Sequence, residues 1–221
     1  MLPSRGYLLK TVTELAGLGP LQHGDVAFGK FEMESQAAVP VPIPGIQGES
    51  GVSFTAGLRG GLLYPLTLSG QQQPAGSRIN DRFQLGGPTD VRGFRLSGLG
   101  PRDGADAVGG DVYAAGGASL LLPLPRVGKD TPLRLQAFIN GGRLLALSDA
   151  QSPNSSRNAA GTVTSAVSAL TQELPSCAAG VGLVYAHPAA RFELNFSLPL
   201  VIRKGEEGRK GFSFGVGINF L

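Results

Sequence analysis

Apolar and polar side chains alternate at period two along eight stretches of this chain, the pattern of strands with one apolar and one polar face. The first covers 5–18, with Tyr7, Leu9 and Leu15 on one face and Lys10 and Glu14 on the other. Over 25–39, Phe31, Met33 and Ala37 oppose Lys30, Glu32 and Glu34, and over 52–64, Phe54, Leu58 and Leu62 oppose Ser53, Thr55 and Arg59. A fourth strand is predicted over 111–122 and a fifth over 133–144, where Leu133, Leu135 and Ile139 oppose Arg134, Gln136 and Asn140. The sixth, 178–187, turns Val181, Leu183 and Tyr185 one way and Gly180 and Gly182 the other. The seventh sets Phe192, Leu194, Phe196 and Leu198 against Arg191, Glu193, Asn195 and Ser197. The eighth sets Phe212, Phe214, Val216, Ile218 and Phe220 against Ser213, Gly215, Gly217 and Asn219.

The charges sharpen this picture. Lys10, Glu14, Lys30, Glu32, Glu34, Arg59, Arg134, Arg191 and Glu193 all fall on the polar parity of their own strands. A Lys or Arg facing lipid at mid-bilayer costs about 2–4 kcal/mol, so a lipid-facing wall enforces such sorting. A soluble β-sandwich or barrel, the alternative, also sorts its faces, but with a denser charged surface and tighter turns. Here 16% of residues are charged and 34 are glycine, against roughly 25% charged and about half that share of glycine in a soluble domain. No stretch supplies the roughly 20 apolar residues of a membrane helix; the nearest, 174–190, is broken by Pro175, Pro188 and several glycines. If the chain spans a membrane, it does so with strands, which must close because lipid satisfies no bare backbone group.

The connections differ in kind. Residues 66–110 are far more than a hairpin needs, and loops of that length are commonly functional. The connection 148–176 is rich in Ser, Asn and Ala, with a short helix predicted over 162–174, and 202–210 is a charged loop expected to stay in water. With alternating strand directions these three emerge on one side, and shorter turns at 40–44, 123–132 and 187–190 on the other. That asymmetry is the membrane-barrel pattern. The fold class is therefore all-β: a transmembrane antiparallel up-and-down β-barrel wall.

Candidate chemistry is sparse. The net charge of +3 is scattered, and no basic cluster with aromatic platforms marks a nucleic-acid surface. His23 and His187 are far apart, with no Cys or carboxylate at metal-ligand spacing, and no nucleophile elbow, P-loop or zincin pair occurs. Cys177 is the single cysteine, and Glu32 and Glu34 read as a solvated lumen wall. No enzyme, metal or cofactor is expected.

Several short motifs recur in a telling order: Gly86-Gly87-Pro88-Thr89-Asp90-Val91-Arg92-Gly93-Phe94, Phe138-Ile139-Asn140-Gly141-Gly142, Ala179-Gly180-Val181-Gly182, His187-Pro188, Phe196-Ser197-Leu198-Pro199, and the strand from Ser213 to Phe220. Together they resemble the outer-membrane barrel-assembly (bacterial surface antigen) family, most closely its branch in the mitochondrial sorting and assembly machinery. The resemblance implies that 1–221 is the C-terminal half of a sixteen-stranded barrel, here about eight strands forming an open half-barrel. It implies a signature loop, 66–110, that folds back into the barrel, and a terminal β-signal strand, 211–221, marked by Ser213, Gly215, Ile218 and Phe220. It further implies a multi-pass place in the mitochondrial outer membrane and insertion and assembly of β-barrel precursors as part of a larger barrel. The implied partners are membrane lipid, those precursors, other sorting and assembly machinery subunits such as metaxins, and the inner-membrane organising complex. A passive pore or structural barrel, or an inactive truncated product, are the alternatives.

Within the loop motif of Val91, Arg92, Gly93 and Phe94, Arg92 offers five donors in a fixed fork and stays charged when buried. Gly93 permits a sharp tip, and Phe94 suits a wedge against the wall. A surface turn with an exposed arginine is the plainer possibility. Glu193, on the inward parity of the penultimate strand, is the first expected partner of Arg92 and Asp111 the second. Asn140 stands where bacterial relatives often carry an aspartate, which leaves that strand without a charged partner for Arg92.

Overall fold

A computed structural model describes residues 5–17, 27–42, 51–66, 77–124, 132–147, 159–187 and 190–217, and among them ten strands and the helix over 159–172 form. In chain order they are β1 (Gly6–Ala16), β2 (Ala27–Val41), β3 (Val52–Leu66), the two-residue pieces β4 (Arg102–Asp103) and β5 (Asp106–Ala107), β6 (Val112–Pro123), β7 (Leu133–Leu145), α1 (Ala159–Gln172), β8 (Ser176–Ala186), β9 (Arg191–Val201) and β10 (Gly211–Gly217). Eight form a single antiparallel sheet in the order β1-β2-β3-β6-β7-β8-β9-β10, each beside its chain neighbour, and β4 pairs β5 within the signature loop. Among the described residues one register shift interrupts the ladders, at Cys177/Ala178. Strands β1 and β10 form the edges and pair only inward, with β2 and β9, so the sheet is an open half-barrel.

The two faces separate as the alternation requires. Leu58, Ile139, Val181, Leu194, Phe212 and Phe214 are exposed on the convex side, while Gln136, Asn140, Glu193 and Asn195 are buried on the concave side. An aromatic ladder, Tyr185–Phe192–Phe214, runs across the outer surface of β8, β9 and β10. No helix among the described residues is long and apolar enough to cross a membrane. The outer wall is the lipid-facing surface.

Two features depart from simple sorting. The inner wall is not polar throughout. Phe28, Leu63, Tyr113, Ala115, Leu144 and Ala178 lie on the inward parity and pack in one buried cluster with loop residues Phe83, Leu85, Val91, Phe94 and Leu99. The second departure is Arg143. Its β7 neighbour Leu144 faces the loop, so Arg143 stands on the outer face, the one parity that the other strand charges avoid.

Helix α1 explains Arg143. The predicted helix at 162–174 begins earlier and stops at Gln172, because Pro175 disfavours helical geometry at Leu174. It lies outside the sheet: Ala166, Ala169 and Leu170 pack on Leu62, Tyr64, Val112 and Leu147, and Leu62 and Val112 are register partners on the lipid-facing parity. Arg143 donates to the carbonyl of Ala169, one of the last four helical carbonyls that lack an internal partner. It also pairs with Glu173 at 3.0 Å.

Ten of the eleven β1 residues are exposed, and long unpaired edges invite intermolecular pairing. Refolded alone in plain buffer, the chain is expected to sediment as aggregate and to remain monodisperse only in detergent. Analytical ultracentrifugation checks this, and a stable monomer without detergent contradicts the exposed apolar wall.

Candidate functional site

The described part of the long connection between β3 and β6, residues 77–110, enters the concavity by building a small core of its own. Isolated bridges join Phe83 to Gly110 and Leu85 to Leu99, closing the loop on itself. Phe83 packs on Tyr113 of β6 with ring centroids 4.7 Å apart, and Lys30 of β2 lies 4.6 Å above the Phe83 ring. Val91 is fully buried and Phe94 nearly so, both in the cluster that joins loop to wall. At about 25 cal/mol per Å² of apolar surface, burying such side chains stabilises the docked loop by about 1.5–3 kcal/mol each, as an upper bound.

Polar contacts set the register of the tip. Asp90 accepts a hydrogen bond from the Gly86 N–H at 2.7 Å and pairs with Arg59 on β3. Two residues on, Arg92 is 1% exposed; its guanidinium lies over the Phe138 ring of β7, 4.4 Å from the centroid. Its Nε is 3.3 Å from Glu193 Oε2 of β9. Glu193 also meets Arg191 at 2.5 Å and accepts from the Asn195 amide at 2.7 Å. Arg191 donates to Gln136, which in turn donates to Ser119 at 2.8 Å, so a polar chain crosses the inner wall from β9 to β6. Burial pushes the Arg92 guanidinium down to about 10, countered by Glu193 and reinforced by Arg191. It remains protonated at neutral pH.

Asn140 does something an aspartate cannot. In the amide orientation that matches donors to acceptors, its oxygen accepts from the Arg92 N–H at 2.8 Å and its nitrogen donates to the Arg92 and Ala178 carbonyls at 3.1 and 3.2 Å. An ionised carboxylate has no donors for those carbonyls. The missing charge on β7 is thus replaced by a two-way grip on the loop backbone.

Glycines make the room. Gly93 has φ +88°, and a Cβ there would stand 2.5 Å from Ala178 Cβ, so only glycine permits this tip. Gly180 leaves space for the Phe138 ring, 2.6 Å from where a Cβ would be, and the Arg92 guanidinium lies over that ring.

Two expectations are corrected by this arrangement. Asp111 does not face the tip: it sits at the mouth of β6, 3.8 Å from Arg82, and accepts from the Leu147 N–H at 2.9 Å. Register explains why, since Arg92 docks against β7–β9 while Asp111 closes the loop's far end. Nor is 202–210 simply a solvated loop. Arg209 N–H donates to Gly93 at 2.8 Å, Glu207 N–H to Gly98 at 2.8 Å, and Arg95 N–H back to Glu207 at 3.1 Å. The Glu207 carboxylate meets Arg95 and Arg102 at 3.4 and 3.2 Å. Glu206 accepts from Gly100 N–H at 3.4 Å and from the Ser176 hydroxyl. The charges of this loop serve as a clasp over the signature loop.

Of the terminal-strand residues, Ser213 donates to the Asn195 carbonyl at 3.5 Å, and Gly215 is buried opposite Glu193. Ile218 and Phe220 lie outside the described residues, as does His23. In the sequence Asp90 and Phe138 entered only as members of motifs and Arg59 only as a strand charge, and the 206–207 clasp was not singled out. Asp90 carried a signal, a carboxylate two residues before the arginine in a loop that must meet a wall bearing Arg59. No group of three or more metal-ligating side chains occurs among the described residues.

A lipid-facing antiparallel wall whose concavity is filled by a docked internal loop defines a membrane β-barrel of the loop-plugged class. The model of the Omp85 superfamily domain matches residues 1–220, and the chain belongs to that superfamily. It is 42% identical over its whole length to a SAM50-like protein of Schizosaccharomyces pombe, covering 42% of that relative. It is 37% identical to the sorting assembly machinery 50 kDa subunit of Saccharomyces cerevisiae, covering 40% of it. With the human sorting and assembly machinery component 50 homolog the identity is 34% and the coverage 42%. The chain thus spans about two fifths of the length of these relatives. The crystal structure of BamA from Haemophilus ducreyi lacking POTRA domains 1–3 superposes with a TM-score of 0.66 at 16% identity, over 98% of this chain and 39% of that one, a likeness of fold.

Breaking a buried pair by removing one partner typically costs about 3–5 kcal/mol. Arg191 still compensates Glu193, so Arg92→Ala is expected at or below the low end of that range. Gly93→Ala, which strains the backbone and drives a methyl into Ala178, should undock the tip outright. Limited proteolysis of the loop in detergent reads both: cleavage within 86–98 should rise several-fold in Gly93→Ala and less in Arg92→Ala. Equal protection in all three proteins would contradict the packed tip.

Proposed function

We propose that this chain forms the C-terminal half of a barrel that inserts and assembles β-barrel precursors in the mitochondrial outer membrane, with 66–110 as signature loop and 211–221 as β-signal strand. The observation that supports this best is the loop clamped by Arg92, Asn140 and Glu193. A passive pore gains nothing from filling its own lumen with a loop that has its own core. An assembly barrel needs a stable wall beside a seam that exchanges strands. The open edge of β10 suits such exchange: an incoming strand adds by main-chain hydrogen bonds, β-augmentation, with no cofactor or covalent step. The relatives' names support the same reading, since they are components of a sorting and assembly machinery.

In this reading, Val91 and Phe94 seat the loop, Arg92 locks its depth through Glu193, and Gly93 allows the turn. Ser213, Gly215, Ile218 and Phe220 form the recognition strand. Precursors and other machinery subunits, metaxins among them, are the partners, with the inner-membrane organising complex beyond them.

Two measurements test it. In the full-length protein, Arg92→Ala should slow insertion of an imported β-barrel precursor several-fold while single-channel conductance persists; unchanged insertion with altered conductance would favour a pore. For biogenesis, Gly215→Arg should sharply reduce the carbonate-resistant fraction after import into isolated mitochondria, because a side chain there meets the buried inner face opposite Glu193. Lys204→Glu, exposed in the 202–210 loop, is the matched control. Glu206 is unsuited to that control, because it holds Gly100 and Ser176. Equal losses at 215 and 204 would remove the β-signal role.

A further inference from the structure

We propose that α1 is an in-plane membrane-interface helix, docked on the outside of the barrel wall with Arg143 as its anchor and the phospholipid headgroup layer as its partner. The inference rests on the sheet being a membrane wall. Three observations carry it. First, the helix is continuous with the lipid-facing surface: it covers Val112, and packs on Leu62 and Tyr64, which share the parity of exposed Phe54 and Leu58. It lies at the end where the long connections emerge, since it is tied to the start of β6 and the end of β7.

Second, its composition suits that layer. The sequence Ala-Ala-Gly-Thr-Val-Thr-Ser-Ala-Val-Ser-Ala-Leu-Thr-Gln contains no charge, where a solvated surface helix of this length ordinarily carries several. Val167 is 51% exposed on the flank of the helix, next to the wall-packed Ala166. Ser168 donates to the Ser165 carbonyl at 2.8 Å and Thr171 to the Ser168 carbonyl at 2.9 Å. Hydroxyls satisfied within their own helix tolerate a poorly hydrated layer. Leu174, just beyond the helix, is 78% exposed.

Third, Arg143 is otherwise paradoxical. A guanidinium on the lipid parity of a strand is unfavourable in the bilayer core, yet this one is buried beneath the helix and bound to the Ala169 carbonyl and Glu173. Glu173 is shared with Arg203, and Arg203 with Arg143 behind it lowers the Glu173 carboxyl from its ordinary value. Arg143, Glu173 and Arg203, with Glu206 held close by through Ser176, balance two cations against two carboxylates at the rim, so no unpaired charge is buried under the helix. A protein partner seated on α1 is the competing occupant, and the test separates the two.

A photoactivatable benzophenone side chain in place of Val167, in the full-length tagged protein in its native membrane, reports what touches the helix. After illumination, mass spectrometry of the peptide should show a phospholipid adduct. The same side chain in place of Val181, on the exposed outer wall of β8, reports the bilayer contact of the sheet itself, and in place of Leu96, in the signature loop, it should give no lipid adduct. Lipid adducts at 181 but a protein cross-link at 167 overturn the proposal in favour of a subunit site. Adducts at 181 and nothing at 167, with a cysteine there labelled by an aqueous maleimide, also overturn it. No adduct at 181 refutes the membrane wall first. Arg143→Leu should lower the adduct yield at 167 at least threefold and leave 181 unchanged; an unchanged yield at 167 removes Arg143 as the anchor.

Discussion

A guanidinium buried to 1% exposure needs an anion and a surface, and the concave wall supplies both for Arg92. Much of the inner architecture follows from that requirement. Glu193 must lie on the inward parity of β9, with Arg191 against its other oxygen and the Asn195 amide donating to the oxygen that faces Arg92. Phe138 must present its ring from β7, two strands over, and Gly180 on the intervening β8 must lack a side chain so that the ring fits. Asn140 must hold the backbone of the residue whose side chain is pinned. A buried ion pair is weak as a source of stability because desolvation offsets attraction. Its value here is positional: removing Glu193 takes the shared carboxylate from two buried guanidiniums, whereas removing Arg92 leaves Glu193 with Arg191.

Stability of the docked loop comes from the apolar cluster above the pair. Surface ion pairs contribute about 0–1 kcal/mol, so the half-exposed Arg95–Glu207 contact is a minor contributor. The buried cluster of Phe83, Leu85, Val91, Phe94 and Leu99 against the inner wall outweighs it several times over. The division of labour is physical: non-directional burial holds the loop in, and directional polar contacts choose its register.

The sheet was legible in the sequence because lipid on one side and lumen on the other force period two over every strand, and a one-residue slip would expose nine charges. What the alternation does not specify is what covers each face. Phe28, Leu63, Tyr113 and Leu144 sit on the polar parity and read as exceptions until the loop core is seen to need them. Arg143 is the converse case, a cation on the apolar parity whose oddness was readable from its number beside Arg134 and Gln136. Its reason was not readable, because it lies in a helix packed on from outside. The charged run 202–210 misled for a different cause: local composition registers solvent preference but not main-chain pairing, and three of its contacts to the loop are backbone hydrogen bonds.

Those three bonds tie the signature loop to the terminal strand. The 202–210 connection leads straight into β10, and its Glu207 and Arg209 are hydrogen-bonded to Gly93, Arg95 and Gly98, the segment that follows the pinned Arg92. On the wall side the same tip is held by β7 and β9. A displacement of β10 that carried its connection along would have to break bonds of about 0.5–1.5 kcal/mol each, and more where the Glu207 side chain also lets go. Motion of the edge strand and depth of the loop are therefore not independent coordinates in this geometry. A displacement of β10 beyond the slack of 202–210 requires either that the clasp release or that the loop follow, and the buried Arg92–Glu193 pair, set deeper and flanked by Arg191 and Asn195, is the contact that resists following.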